Sequence, residues 1–459
     1  MMERDSVQIF TKPFSEQGAF LLRRMREYLA RGKRYFGALV KWLLLAGLTG
    51  AVAGGAGTLL YFCIAGATDL RLRNGWLVWL LPAGGALIAF LYHLGKADHP
   101  QGTNLIIEAI RSPEPVPIKM APLIFVSTVV THLVGGSAGR EGASLQLGGS
   151  LGYGIGRLFR LDERDLHLIT MCGMSACFGA LFGTPVTAAV FVMEVVTVGV
   201  MQYSSLVPCT VAALVGVSIA RQFREPAMAF AVAGIPAVDF LSVVRVIALA
   251  ALCAGVSWFY CKMMRDCRRF FQCRVPDKIV CAAVGGAAIA LLTLPFGRDY
   301  LGVGSAQIAA ALGGRAQTWA FLLKILFTAL TLGCGFKGGE IIPALFVGST
   351  FGCVAGGLLG LDPSFGASLG FVAVFCGVTN CPLTSLVLSA EVFGAKGILF
   401  YLLAAAVSYL LSGYSGIYSR QKILYAKDKP LFLGAVAPAG AAGQSAHTEN
   451  VSPGKISED

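Results

Sequence analysis

Long apolar stretches recur along nearly the whole chain, and they constrain its fold more than any other feature. They include residues 38–66, 76–94, 118–134, 206–220, 243–261, 279–295 and 397–411. A helical span of a lipid bilayer requires about 20 predominantly apolar residues. Charged residues make up only 14% of the chain, against about 25% in soluble domains. We therefore predict an all-α integral membrane protein with many spans.

Basic residues concentrate in three polar segments, residues 23–34, 262–274 and 420–429. The first 35 residues lack the apolar core of a signal peptide. Because cytoplasmic segments of membrane proteins are enriched in Lys and Arg, residues 1–35 are predicted to form a basic cytoplasmic segment. This topology accounts for the net charge of +12, and no nucleic-acid partner is expected. Residues 423–459 end in a region rich in Ala, Gly, Ser and Pro and are predicted to form a disordered cytoplasmic tail.

The chain repeats itself at an offset of 197 residues, which indicates two related halves. Among the matched pairs are Arg140 with Lys337, Pro185 with Pro382, and Glu194 with Glu391. We predict a first repeat at residues 36–232 and a second at residues 233–422. A basic run precedes the first long helix but follows its counterpart, so the repeats are predicted to be inverted. Their apolar segments are often short or broken by Gly and Pro, which is typical of broken or tilted helices that meet at mid-membrane.

Two glycine-rich stretches, residues 135–142 and 333–340, each lead into a predicted helix. Helix N-termini present unpaired N–H groups and the positive end of the helix dipole, so two of them converging at mid-membrane would bind an anion. The alternative is that these glycines only permit close helix packing. Packing alone leaves the charged residues in both stretches unexplained.

Four glutamates lie within apolar segments, where an ionisable group is costly and usually functional. Glu141 is the strongest candidate, because its carboxylate could occupy the anion position and be released by protonation. The alternative is simple neutralisation by Arg140 or Lys337. Glu340 could be a second proton-handling group, or its carboxylate could only cap the helix that follows it. Glu194 and Glu391 occupy matching positions in both halves, which favours a structural role for that pair.

These residues resemble the CLC family of anion channels and anion/proton antiporters. Residues 139–142 resemble the family's G-(K/R)-E-G-P segment, residues 338–343 lie where G-x-F-x-P is usual, and residues 416–419 resemble the region of the central tyrosine. The resemblance implies the CLC-like inverted-repeat fold in a homodimer with one pore per subunit. It makes Glu141 the outer gating glutamate and Tyr418 a hydroxyl donor to the anion. It also assigns anion-binding positions to Gly139, Arg140, Gly142, Ala143, Ile341 and Ile342.

Departures from the family pattern refine this interpretation. The usual serine ligand falls near Thr103 or Asn104, and Ala143 replaces the proline of G-(K/R)-E-G-P. Chloride/proton antiporters of the family carry an inner proton-transfer glutamate where this chain has Val195. Here Glu340 replaces an apolar residue of G-x-F-x-P, as in the fluoride/proton antiporter branch. The resemblance therefore makes Glu340 the inner proton carrier.

The resulting hypothesis is a fluoride/proton antiporter in the cell (inner) membrane, with both termini cytoplasmic and with fluoride, protons and lipid as its partners. A passive chloride or fluoride channel and a chloride/proton exchanger remain as alternatives. An enzyme is not expected, because the five histidines show no ligand spacing and the chain has no H-E-x-x-H or G-x-S-x-G motif. No metal or organic cofactor is implied.

Overall fold

The computed structural model describes residues 14–96, 102–112, 115–223, 228–429 and 431–433. This part of the chain contains sixteen α-helices, two short 3-10 helices and two two-residue strands. Seven of its helical segments are long and apolar enough to cross a membrane. The described residues thus form a mostly helical membrane protein, as the apolar stretches predict.

The first half contains eight helices. They are α1 (Phe14–Arg73), α2 (Leu81–Leu94), α3 (Thr103–Ala109), α4 (Met120–Val134), α5 (Glu141–Leu158), α6 (Glu163–Phe182), α7 (Pro185–Val195) and α8 (Leu206–Gln222). The 3-10 helices Gly75–Leu80 and Tyr203–Ser205 precede α2 and α8, and strand β1 (Thr197–Val198) follows α7.

The second half contains the other eight helices. They are α9 (Phe240–Arg274), α10 (Lys278–Phe296), α11 (Ser305–Leu312), α12 (Ala320–Gly333), α13 (Ile341–Leu358), α14 (Pro363–Thr379), α15 (Pro382–Phe393) and α16 (Ile398–Leu411). Strand β2 (Lys422–Ile423) pairs in parallel with β1, which fastens the end of the second half to the first.

Two predicted segment boundaries do not coincide with breaks in the structure. Helix α1 runs through residue 35 without interruption, because residues 23–35 are mainly good helix formers. The segment predicted as a disordered tail is still in contact with the helices after residue 423. The Lys427 ammonium group donates to Asn380 Oδ1 at 2.6 Å and to the Tyr409 carbonyl at 2.9 Å. These bonds hold residues 423–429 against the helices. Residues 1–13 and 434–459 lie outside the described residues.

Glycines bring the two helices of each matching pair into backbone contact. In the first half Gly148 of α5 lies against Gly173 of α6, and in the second half Gly348 of α13 lies against Gly370 of α14. A Cβ on any of these four would collide with the facing backbone, so glycine at these positions permits the close helix packing. Gly173 and Gly370 are related by the offset of 197 residues found in the sequence, and Gly148 and Gly348 lie 200 residues apart.

Glu194 and Glu391 join the two halves reciprocally. Glu194, at the end of α7, accepts hydrogen bonds from the backbone N–H groups of Leu383 and Thr384 at 3.1 and 2.8 Å, at the start of α15. Glu391, near the end of α15, accepts from the N–H groups of Val186 and Thr187 at 3.0 and 2.7 Å, at the start of α7. Each carboxylate therefore caps the other half's helix, where N–H groups lack intrahelical partners. The prediction of a structural role for this pair is confirmed.

Candidate functional site

The two glycine-rich stretches meet directly before helices α5 and α13. Gly139 and Gly339 exchange both backbone hydrogen bonds as an antiparallel bridge, each with an N–O distance of 2.8 Å. Residues nearly 200 positions apart are thereby joined, and the N-termini of α5 and α13 lie next to each other. The prediction that the two stretches approach each other is confirmed.

Glu141 is fully buried and reaches from one half of the protein to the other. Its Oε1 accepts a hydrogen bond from the N–H group of Ile342, in the first turn of α13, at 2.9 Å. Its Oε2 accepts from the N–H group of Arg140 at 2.8 Å. A Cβ on Gly139 or Gly339 would collide with this carboxylate. The carboxylate therefore occupies an anion position at a helix N-terminus, and the flanking glycines make room for it.

Glu340 lies at the start of α13 and does not use its carboxylate to cap that helix. Its backbone carbonyl accepts a hydrogen bond from the Tyr260 hydroxyl at 2.8 Å. Its carboxylate lies 3.7 Å from the Arg268 guanidinium, and its side chain is 21% exposed. Glu340 is thus the N-cap residue of α13 without a capping hydrogen bond from its side chain, and its carboxylate is accessible to water.

A cavity of about 120 Å³ adjoins these helix starts and brings several predicted residues together. Its lining includes Thr103, Asn104, Gly142, Lys337, Glu340 and Tyr418. Arg268 also lines it, with nearly half of its side chain exposed, so the cavity extends to the face that carries the basic end of α9. The space is sufficient for several water molecules or a partly hydrated ion.

Comparison with known proteins identifies the family. Residues 84–413 match the family model described as voltage gated chloride channel. The chain belongs to the CLC family. A CLC relative, the chloride/fluoride channel protein of Pseudomonas syringae pv. tomato, is 35% identical over 402 residues, which are 86% of this chain and 89% of that protein.

Solved CLC structures share the fold. The crystal structure of a CLC-type fluoride/proton antiporter superposes with a TM-score of 0.81 at 28% identity, covering 84% of this chain and 98% of that one. A slow cyanobacterial Cl⁻/H⁺ antiporter superposes with a TM-score of 0.70 at 19% identity, covering 81% and 94% of the two chains. The protein is thus an anion-transport protein of the CLC family with the CLC fold.

Both candidates for the usual CLC serine position line the cavity. The Thr103 hydroxyl donates to the Gly142 carbonyl at 3.3 Å. Asn104 Oδ1 accepts from the backbone N–H group of Arg420 at 3.2 Å. Because that bond uses the amide oxygen, the amide nitrogen is the donor that Asn104 can offer to an anion.

Tyr418 of this CLC protein is buried. Its carbonyl accepts a hydrogen bond at 3.2 Å from the backbone N–H group of Gln421, a residue that sequence reasoning did not single out. The Gln421 amide nitrogen donates to the carbonyls of Val195 and Thr379 at 3.1 and 2.8 Å. Its oxygen accepts from the Asn380 amide at 3.2 Å. Val195 itself is fully buried and apolar, so its contribution here is a backbone acceptor.

The Arg140 side chain does not point to the cavity. Its guanidinium lies over the Tyr61 ring at 4.5 Å and donates to the Leu181 carbonyl at 3.3 Å. Only its backbone N–H group is turned towards the Glu141 carboxylate. Ala143, Ile341 and Ile342 are buried, and as first-turn residues they can contribute backbone N–H groups to the site.

Proposed function

We propose that this protein is a secondary-active transporter that exports fluoride across the cell membrane in exchange for protons. The observation that carries the proposal is the pair of glutamates at one helix start. The Glu141 carboxylate accepts a hydrogen bond from the N–H group of Ile342 in the first turn of α13. Glu340 immediately precedes this helix and lines the cavity. Coupled exchange requires titratable groups that can serve both ends of the anion path, and these two carboxylates meet that requirement.

The anion step follows from competition for one position. While Glu141 is ionised, its carboxylate takes the hydrogen bonds that an anion would need. Protonation removes its charge and weakens its bond to the Ile342 N–H group, because charge-assisted hydrogen bonds are roughly twice as strong as neutral ones. An anion arriving from the cavity then takes the vacated donors, and the protonated side chain moves aside.

The proton step uses Glu340 at the inner end. Val195 is apolar and cannot carry a proton, whereas Glu340 faces the cavity and has Arg268 at 3.7 Å. Protons that arrive on Glu141 from outside pass to Glu340 and leave through the cavity. The guanidinium of Arg268 is close enough to pair with the carboxylate that remains once Glu340 has released its proton.

Fluoride is favoured as substrate by the density of donors. A small, strongly hydrated anion loses much solvation energy on entering the membrane, and only closely spaced hydrogen-bond donors can offset that loss. The Tyr418 hydroxyl, the Asn104 amide and the N–H groups of the two helix starts supply such donors. Relatives described as a chloride/fluoride channel and a fluoride/proton antiporter support this choice.

The test is a flux assay on the purified full chain in liposomes, with a fluoride-selective electrode and a pH electrode. Liposomes loaded with fluoride should release it and take up protons at a fixed ratio, against an imposed proton gradient. Fluoride release without proton movement would identify a passive channel. Equal proton-coupled release of chloride would identify a chloride/proton exchanger. We further propose a homodimer with one pore per subunit and cytoplasmic termini in the inner membrane, on the basis of the CLC family and the basic ends of α1 and α9.

A further inference from the structure

Two cations are buried away from the cavity, at a place that the proposed mechanism does not use. Arg71, near the end of α1, is 7% exposed, and Lys324, within α12, is fully buried. We call them the distal basic pair. An ionised side chain inside a membrane protein is costly unless an opposite charge or a set of hydrogen bonds compensates it.

Both cations contact Gly302. The Lys324 ammonium donates to the carbonyls of Gly302 and Tyr300 at 2.7 and 3.1 Å. A Cβ built on Gly302 would lie 3.1 Å from both terminal nitrogens of Arg71. The N–H group of Gly302 in turn donates to the Gly136 carbonyl at 3.1 Å, which attaches the pair to the stretch that leads to Glu141.

The hydrogen bonds of the distal basic pair are incomplete. Nη1 of Arg71 is buried and has no hydrogen-bond partner. Lys324 has three N–H donors, of which the two carbonyls use two. Within the described ranges, the ion pairs all involve other cations. Two neighbouring positive charges with spare donors and no carboxylate in contact form a site for an anion.

His132, at the end of α4, lies near the distal basic pair, and the charge of Arg71 acts on it. Its Nδ1 is 2.8 Å from the Thr128 carbonyl, which can only accept, so Nδ1 carries the proton of the neutral ring. Nε2 would donate to an anion only in the charged ring. The anion-binding donors are therefore assigned to Arg71 and Lys324 alone.

The pair lies towards the end of α12 that is remote from the cavity opening. The last residue of α12, Gly333, packs against Arg268 at the cavity edge, and Lys324 precedes it by nine residues. At 1.5 Å per residue, this separation is about 13 Å along the helix. Gly136, which accepts from the Gly302 N–H group, precedes Glu141 by only five residues. The Glu141 carboxylate is thus within electrostatic reach of both the cavity and the distal basic pair.

We propose that Arg71 and Lys324 form a second anion-binding site, beyond Glu141, which receives a small halide that has passed the gate. While Glu141 is ionised, its charge partly compensates the pair. Once Glu141 is protonated, the positive charge of the pair is uncompensated, and it attracts the anion past Glu141 towards the pair. The site deepens the proposed function and rests on it for the choice of fluoride, but binding itself requires only a halide.

The test is calorimetric titration of the purified full chain with sodium fluoride and, separately, sodium chloride. The background is Glu141→Gln, which removes the compensating carboxylate. Adding Lys324→Met, which keeps the length and apolar volume of the side chain, should abolish one anion-binding event or weaken it by about tenfold or more. Arg71→Gln should affect the same event. Lys119→Met is the matched control, because Lys119 is exposed and donates only to the Gly95 carbonyl, and it should leave all binding unchanged.

Unchanged number and affinity of bound anions in both Lys324→Met and Arg71→Gln would overturn the proposal. If one variant fails to fold, as judged by gel filtration, the other decides the question. If neither variant folds, the melting temperature of Glu141→Gln is measured against fluoride and chloride concentration. Two binding sites should raise it in two separate concentration ranges, and a rise in a single range would overturn the second site. The binding measurement uses no proton gradient. Its outcome therefore does not depend on whether the liposome assay finds fluoride/proton coupling.

Discussion

At the scale of single residues, the site is organised around one buried carboxylate at a helix N-terminus, the kind of position that binds anions. The Glu141 side chain spans the contact between the two halves and accepts from the N–H groups of Ile342 and Arg140. The glycines on either side are required because any side chain there would overlap the carboxylate. Replacements at these positions should therefore alter gating before they alter folding.

Glu141→Gln should abolish proton coupling while fluoride flux continues passively or falls. The amide keeps the shape of the side chain but cannot release a proton. The measurement is proton uptake driven by a fluoride gradient in liposomes. Glu163→Gln, an exposed change in the first turn of α6, is the control and should pump as the parent does. Robust proton pumping by Glu141→Gln would exclude Glu141 as the gate.

Glu340→Ala should leave fluoride moving without protons, because Glu340 supplies the only carboxylate among the described residues that line the cavity. The same fluoride and pH electrodes measure the ratio. Lys337→Met is the companion variant. Lys337 lines the cavity and its ammonium lies 4.5 Å from the Tyr92 ring, so its loss should slow anion entry and preserve the coupling ratio. Wild-type coupling in Glu340→Ala would place the inner proton carrier elsewhere.

Gly339→Ala should displace the Glu141 carboxylate and raise passive anion leak, because the new methyl group would overlap that carboxylate. Leak is measured as fluoride efflux with the pH clamped equal on both sides. Gly55→Ala, in α1, is the matched glycine control, since a Cβ there meets nothing within 4 Å. It should leave transport unchanged and slightly stabilise the helix, by about 0.5–1 kcal/mol. Equal leak in the two variants would contradict the steric argument.

At the scale of helices, the reciprocal glutamate caps join α7 to α15. Each carboxylate accepts two backbone N–H groups and one threonine hydroxyl, from Thr384 for Glu194 and from Thr187 for Glu391. Both helices begin with proline, which has no N–H group, so the next two N–H groups are the ones that require acceptors. The contact fixes the angle at which the two short helices meet.

Glu194→Ala should lower the free energy of unfolding by about 1–3 kcal/mol, the cost of leaving buried donors unsatisfied. Glu391→Ala should cost less, because Glu391 is only half-buried, whereas Glu194 is 5% exposed. Thermal unfolding in detergent, monitored by circular dichroism, ranks the two variants. Equal melting temperatures for Glu194→Ala and the parent would show that water replaces the lost acceptor.

The sequence predicts the elements of this architecture better than their mutual contacts. The repeat offset, the broken helices and the positions of Glu141 and Glu340 follow from periodicity and from the cost of charge in a membrane. The partners of Glu194 and Glu391 do not, because they lie 189–190 and 204–205 residues away in the chain. The direction of the Arg140 side chain depends on Tyr61 in α1, and the order of residues 423–429 depends on Lys427, so neither is encoded locally.

At the scale of the whole molecule, the orientation in the membrane has a natural probe. All 13 cysteines are free thiols, and Cys273, beside Arg274 at the basic end of α9, is the only one that is exposed. A membrane-impermeant maleimide should therefore label Cys273 from the cytoplasmic side, in inverted vesicles but not in intact cells. Cys273→Ser is the control and should lose most of the labelling. Labelling from outside the cell would show that the second half is inserted the other way up.

The reciprocal caps of Glu194 and Glu391 have the symmetry of a two-fold interface, in which contact i to j is matched by contact j to i. In this chain the two partners are halves of a single polypeptide. A half-length chain that inserted in both orientations could make the same pair of contacts with its own copy. The caps thus fit an origin in which a self-associating half-length protein was duplicated and fused. After the fusion, each substitution at the start of α7 or α15 had to remain compatible with a glutamate encoded in the other copy.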